Sequence, residues 1–318
     1  MKITNLFPPY VFRIVNRCKM TAQSPSYWRG WWRLSLTLVL FFSCTAPIDI
    51  HTSDSEPVIV IYGCLTDEYK NQYIRVTSSS PYFYDAYNPV INDAKVKVTS
   101  SNGREYPFVY ENNGYYISQR RFSAAPGITY RLSVEIDSGN DGKTDCYEAE
   151  TTTLPVVPVD SIDFNVINIM GIKHYSLIFY MQEPAETENY YLFNFFINDS
   201  ISNEKISNSL ISNDLMYNGD YINGANVTFF EDGTDPDVIA WNEDNENVFM
   251  VVPGDRIRLH ILNIEKGYYQ FISHCMREKY GENPIFGGPP SNIHTNLSNG
   301  AVGYFSSYCI EEKETVVP

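Results

Sequence analysis

Ala94-Lys-Val-Lys-Val-Thr99, Ser101-Asn-Gly103 and the run from Glu105 to Tyr110 decide how this chain is read. The first alternates apolar and polar side chains with the period of two that a half-buried strand requires. Asn102-Gly103 offers the positive-φ positions of a tight hairpin turn, and Glu105 to Tyr110 can return as the partner strand. A hairpin, not a helix, is therefore the unit from which the rest is built.

Outward from it the same grammar repeats. Val58 to Leu65 is a β-branched run interrupted by Gly63, Gln72 to Thr77 alternates, and Gly114 to Ser118 and Thr129 to Ile136 follow. The last two are separated by Ala124-Ala-Pro-Gly127, a turn signal. Cys146 to Leu154 closes a set of strands spaced about ten residues apart, the rhythm of an antiparallel sandwich. The expected divisions are a sandwich over 57–155, a linker at Leu154-Pro-Val-Val-Pro158, and a second β-rich domain over 159–318.

In that second half, Ser161 to Val166, Tyr175 to Tyr180 and Tyr190 to Ile197 carry strand-like content. Val248 to Val252, Pro253-Gly-Asp255 and Arg256 to Leu262 predict another hairpin. Asn198 to Asn226, rich in Asn and Ser, reads as a long loop. One short helix is expected over Glu265 to Lys279, with Tyr269, Ile272 and Met276 on a shared face. An aromatic content of 15%, led by 25 Tyr, agrees with an all-β class.

Charge narrows the partners. Of 23 basic residues six precede Cys44 and no acidic residue does, so the remainder sets 17 basic against 38 acidic groups, a net charge of about −21. Binding a phosphate backbone needs clustered Lys and Arg, so nucleic acid is excluded as an expected partner.

Arg29 and Arg33 precede the apolar run Leu34 to Phe42, which is shorter than the roughly 20 residues a spanning helix needs. It has the length of a signal-peptide core, with residues 1–43 removed and a translation start near Met20. Ser43-Cys44 after this run resembles the box read by lipoprotein signal peptidase, which makes Cys44 the expected acylated N-terminus. An ordinary cleavage near Ala46 is the alternative. Residues 44–56 then form a polar tether.

Several motifs resemble the DUF4249 lipoproteins of Bacteroidetes: Val58-Ile-Val-Ile-Tyr-Gly63, Asn92 to Val98, Asn113-Gly-Tyr-Tyr116 and Pro126-Gly-Ile-Thr-Tyr130. The C-terminal marks are Asn283-Pro-Ile-Phe286, Pro289-Pro-Ser-Asn292 and Asn299-Gly-Ala-Val-Gly-Tyr-Phe305, with Ile285 departing from the family's usual Pro-Phe. The N-terminal half is also similar to immunoglobulin-like and transthyretin-like sandwiches. The resemblance implies an outer-membrane lipoprotein, held by a lipid anchor and accessory to a TonB-dependent receptor, with no assigned activity.

Candidate sites stand beside plainer readings. Asp137 to Glu148 matches a calcium loop at Asp137, Asp141, Gly142, Asp145 and Glu148, although Gly139 fails the third position; a solvated Asp-Gly β-turn explains the same residues. Glu231, Asp232, Asp235, Asp237, Glu243, Asp244 and Glu246 gather around Trp241, as a ligand site or as a charged loop. Cys64 with Cys146 and Cys275 with Cys309 suit disulfides in an exported protein, and four buried thiols suit the same residues. Catalytic motifs are absent from the sequence, and no cofactor is expected apart from calcium. The resulting expectation is a ligand-binding or accessory envelope lipoprotein, not an enzyme, with contacts on 198–226 and 231–246. A structural or adhesive subunit is the alternative, and a hydrolase using paired carboxylates a third.

Overall fold

The computed structural model describes residues 57–80, 88–137, 143–169, 171–203, 205–242, 249–280 and 293–318. Seven strands form the first half: β1 (Ile59–Thr66), β2 (Tyr73–Ser78), β3 (Lys95–Ser100), β4 (Glu105–Asn112), β5 (Tyr115–Ser118), β6 (Thr129–Ile136) and β7 (Asp145–Thr152). The second half contributes β8 (Ser161–Ile169), β9 (Ile172–Gln182), β10 (Tyr190–Ile197), β11 (Ser200–Ile201), β12 (Leu210–Asn213), β13 (Tyr221–Asp232), α1 (Pro236–Asn242), β14 (Met250–Val251), β15 (Arg256–Asn263), α2 (Lys266–Tyr280), β16 (Val302–Tyr308) and β17 (Ile310–Val316).

The deciding hairpin forms as its sequence dictates. Val96 faces Phe108 and Val98 faces Tyr106 across β3 and β4, and Gly103 turns the corner at φ +84°. The alternation sends Val96, Val98 and Phe108 into one core with Ile61, Leu65, Ile74, Val76, Leu132 and Val134. A second Asn-Gly turn, at Asn113 and Gly114 with φ +46° and +81°, joins β4 to β5.

These strands belong to one eight-stranded sheet in the order β16-β1-β2-β5-β4-β3-β6-β7. It rolls until its two ends meet, giving the two facing layers expected of a sandwich. Leu154 bridges Tyr308, Thr151 Oγ1 accepts from Ser307 N at 3.0 Å, and Thr153 Oγ1 donates to Ser307 Oγ at 2.8 Å. The strand that completes the sheet comes from the end of the chain: β16 pairs parallel to β1, so residues from the second half finish the core of the first. Gly303 sits at φ +111°, where an added Cβ would lie 2.0 Å from Ile61 O, so only glycine lets the two strands approach.

The second half is a sandwich of two sheets. One has the order β11-β10-β15-β17, with β12 also on β10; the other runs β14-β13-β9-β8. Tyr175, Leu177, Phe195, Phe230, Ile257 and Leu259 meet between them. Two expectations are corrected. The segment 198–226 is no long loop: it contains β11, a short 3₁₀ turn, β12 and the start of β13, whose polar residues reflect half-exposed strands. Pro253-Gly-Asp255 turns the chain at φ +94° for Gly254, yet β14 and β15 lie in different sheets and form no hairpin.

Helix α2 fills the angle between these bodies. Tyr268, Phe271 and Ile272 form its buried stripe, packed on Leu192 and Leu262 from one side and Cys64 and Tyr304 from the other. Tyr269 and Met276 pack, partly buried, against the same cluster as Ile272, so the expected shared face forms and extends to Tyr268 and Phe271. Each such apolar side chain contributes roughly 1.5 to 3 kcal/mol of burial. A second helix, α1, was not expected; Asp235 caps it by accepting from Asp237 N at 2.9 Å, with Pro236 in the first turn.

Candidate functional site

Cys44, Asp141 and residues 243–246 lie outside the described residues. Of the remaining calcium-loop positions, Asp145 and Glu148 sit on β7, in register with Ile136 and Ser133 of β6. The last four positions of the twelve-residue motif are therefore part of the β6–β7 ladder. Among the described residues no group of three or more His, Cys, Asp and Glu side chains is placed to hold a metal ion.

Of the two readings open for the cysteines, the structure has free thiols: Cys64 and Cys309 are buried, and Cys146 and Cys275 are half-buried. Cys64 points to the outer face of β1, where its Sγ lies 3.0 Å from Ser306 Oγ and 3.5 Å from the hydroxyls of Tyr62 and Tyr268. Cys146 instead meets Ser133 Oγ at 3.7 Å on the β6–β7 ladder. Much of the acidic cluster also has local partners: Glu231 pairs with His174 at 2.9 Å, Asp232 accepts from Thr234 N and Oγ1, and Asp235 caps α1.

The structure brings together a different set. Between β9, β10, β12, β13 and α2 lies a cleft of about 550 Å³, walled by Phe179, Phe193, Ile222 and Met276. Polar groups converge on it from chain segments that leave the strands. Glu183 follows β9, Tyr191 stands on β10, and Asp214 follows β12. Asn189 ties them: its N–H donates to Asp214 Oδ2 at 2.7 Å and its Nδ2 to Glu183 Oε1 at 2.9 Å. Tyr191 OH donates to Glu183 Oε2 at 2.6 Å.

Glu183 is 1% exposed and Asp214 4% exposed, and among the described residues of the wall neither has a basic residue beside it. Burial raises the Glu183 carboxyl above its usual range; hydrogen bonds from Tyr191 and Asn189 offset part of this, and the Asp214 charge adds to it. Burial and the neighbouring Glu183 push the Tyr191 phenol far up, so it remains a hydrogen-bond donor. At the cleft's edge two successive turns, Tyr217 N to Asp214 O and Asp220 N to Tyr217 O, lift Leu215 and Met216 into solvent at 78% and 83% exposure.

Sequence reasoning missed Glu183, Asn189, Tyr191 and Asp214 because they follow no motif and meet only through the turns that leave β9 and β12. One local signal was present: Leu215-Met216-Tyr217, an apolar triplet set among Asn and Asp. The arrangement is a largely apolar recess with a few convergent polar groups on a rigid β scaffold, the kind of place where small-molecule pockets occur in proteins.

The chain belongs to the family described as "Domain of unknown function (DUF4249)", whose profile matches residues 45–314. No curated protein matches it. Among solved structures it is similar to a two fibronectin type-III domain segment from chicken tenascin, at 12% identity, covering 62% of this chain and 86% of that one. The TM-score is 0.17, which carries no argument. No described helix is long and apolar enough to cross a membrane.

Proposed function

We propose that this protein is a cell-envelope lipoprotein of Bacteroidetes, acylated at Cys44, that captures a small ligand in the cleft of its second β body. It presents that ligand to a TonB-dependent outer-membrane receptor. The observation that carries the reading is the cleft itself: about 550 Å³ of recess with aromatic walls and buried, convergent polar groups. The short apolar run ending at Cys44 and the polar tether after it supply the membrane attachment. No reaction is proposed, since the buried carboxylates are engaged by Tyr191 and Asn189.

The test is purification of the acylated protein from gently solubilised native envelope, with Cys44→Ala as the control. The expected result is membrane-bound protein with a co-purifying TonB-dependent receptor, and a soluble, partnerless variant. A wild-type protein that is soluble and partnerless contradicts the proposal.

A further inference from the structure

The cleft's charge does not match the rest of its wall. Its surface is mostly apolar, and among the described residues lining it none is Lys, Arg or His, yet two buried carboxylates open onto it. Like charges taken out of water disfavour one another unless a counter-charge is supplied. The described residues supply hydrogen bonds but no cation: Glu183 receives Tyr191 and Asn189, and the charged neighbour that perturbs it is Asp214.

Asp214 is the less satisfied of the two. Its Oδ2 accepts from Asn189 N at 2.7 Å, while its Oδ1 accepts no hydrogen bond from the described residues although the side chain is 4% exposed. A carboxylate on a side chain that is 4% exposed and lines a recess, with one oxygen lacking a donor among the described residues, can take a further donor from whatever enters. Around it, Phe179 and Phe193 lie with ring centroids 5.5 Å apart, and Tyr191 lies 6.3 Å from Phe193. Aromatic faces attract cations and accept apolar bodies, but do nothing for an anion.

Resting on the reading of this cleft as the binding site, we propose that its ligand is an organic ammonium ion. The ammonium group meets Asp214 and Glu183, and the apolar body lies against Phe179, Phe193, Ile222 and Met276. Among the described residues an anion finds no cationic partner there, and a bare metal ion finds no third His, Cys, Asp or Glu side chain. A neutral polyol leaves the apolar wall unmatched. Tyr217 and the exposed Leu215 and Met216 stand at the entrance, placed to cover the apolar end of such a molecule.

The test is calorimetric titration of the full detergent-solubilised chain at neutral pH with three matched probes: 4-phenylbutylamine, 4-phenylbutan-1-ol and 4-phenylbutyrate. The amine is expected to bind at least tenfold more tightly than the alcohol, and the carboxylate not at all. Asp214→Asn, and independently Glu183→Gln, are expected to weaken the amine at least fivefold and leave the alcohol unchanged. Ala225→Trp, which fills the recess, should abolish binding of every probe. If the alcohol binds as tightly as the amine, or if neither charge-removing variant that retains cooperative unfolding discriminates, the ammonium proposal falls while the cleft remains the site. If Ala225→Trp leaves amine binding intact, or no probe binds, the cleft reading falls with it.

Discussion

The side-chain amide of Asn296 takes both main-chain hydrogen bonds of Phe305, accepting from its N–H at Oδ1 (3.1 Å) and donating from Nδ2 to its carbonyl (2.8 Å). The same Nδ2 donates to Glu150 O on β7 at 2.9 Å. One asparagine thus acts as a piece of strand in the seam between the two ends of the rolled sheet. Asn296→Ala removes these bonds and leaves half-buried main-chain groups without partners, with an expected loss of about 3 kcal/mol in urea unfolding. Asn296→Asp, which cannot donate, should lose a comparable amount.

Gly303→Ala is expected to cost roughly 3 kcal/mol or more, because the new Cβ would sit 2.0 Å from Ile61 O at a φ of +111° that L side chains rarely adopt. The same change at Gly103, at φ +84° in the exposed β3–β4 turn with open space around it, should cost far less. Thermal unfolding of the two variants side by side distinguishes a packing requirement from a turn preference.

Much of the first sheet was legible because its strands alternate and its turns use Asn-Gly and Pro-Gly, both local properties. The closing strand was visible only as the motif Asn299 to Phe305; that it would pair with Ile59 to Thr66 is a contact more than 200 residues apart, which no local periodicity encodes. Polar strands were harder still. Tyr221–Asp232 and Leu210–Asn213 are half exposed, so their composition imitates a loop. The cleft was illegible for the same reason: Glu183, Asn189 and Asp214 come together through main-chain geometry. Cysteine number likewise could not separate bridges from thiols.

The thiols give a chemical prediction. Cys64 is 6% exposed, behind Ser306 and two tyrosine hydroxyls, whereas Cys146 and Cys275 are half-buried. Under native conditions iodoacetamide should label Cys64 much more slowly than those two, and non-reducing denaturant should expose all four for labelling. A Cys64–Cys146 or Cys275–Cys309 disulfide in the peptide mass spectrum would contradict the structure.

Alkaline pH should destabilise the fold through groups that hold their protons when folded. Burial and the adjacent Asp67 carboxylate push the Cys309 thiol from 9.0 up to about 11, and burial raises Tyr62, Tyr268 and Tyr308 as well. The unfolded chain ionises first, so the stability from Cys309 is complete below pH 9 and declines as pH rises toward 11. Urea midpoints across that range in wild type and Cys309→Ser should show a shallower decline in the variant.

Glu183 acts with the same sign at lower pH. Its raised carboxyl binds a proton more readily in the folded state, so folding gains stability as pH falls toward the ordinary value of 4.5 and loses it as pH rises through the folded pKa. Glu183→Gln should remove this slope, so that the variant gains on wild type as pH increases from 4.5 to neutrality. Parallel denaturation curves for the two proteins at each pH provide the comparison.

Occupancy of the cleft is tested by native mass spectrometry of the protein isolated from its own envelope, compared with Ala225→Trp and Ser212→Trp, which place bulk on two sides of the cleft. The wild-type protein is expected to retain a small molecule that both variants lose with their fold intact. A wild-type protein that carries no ligand, or a ligand retained by both variants, would contradict this expectation.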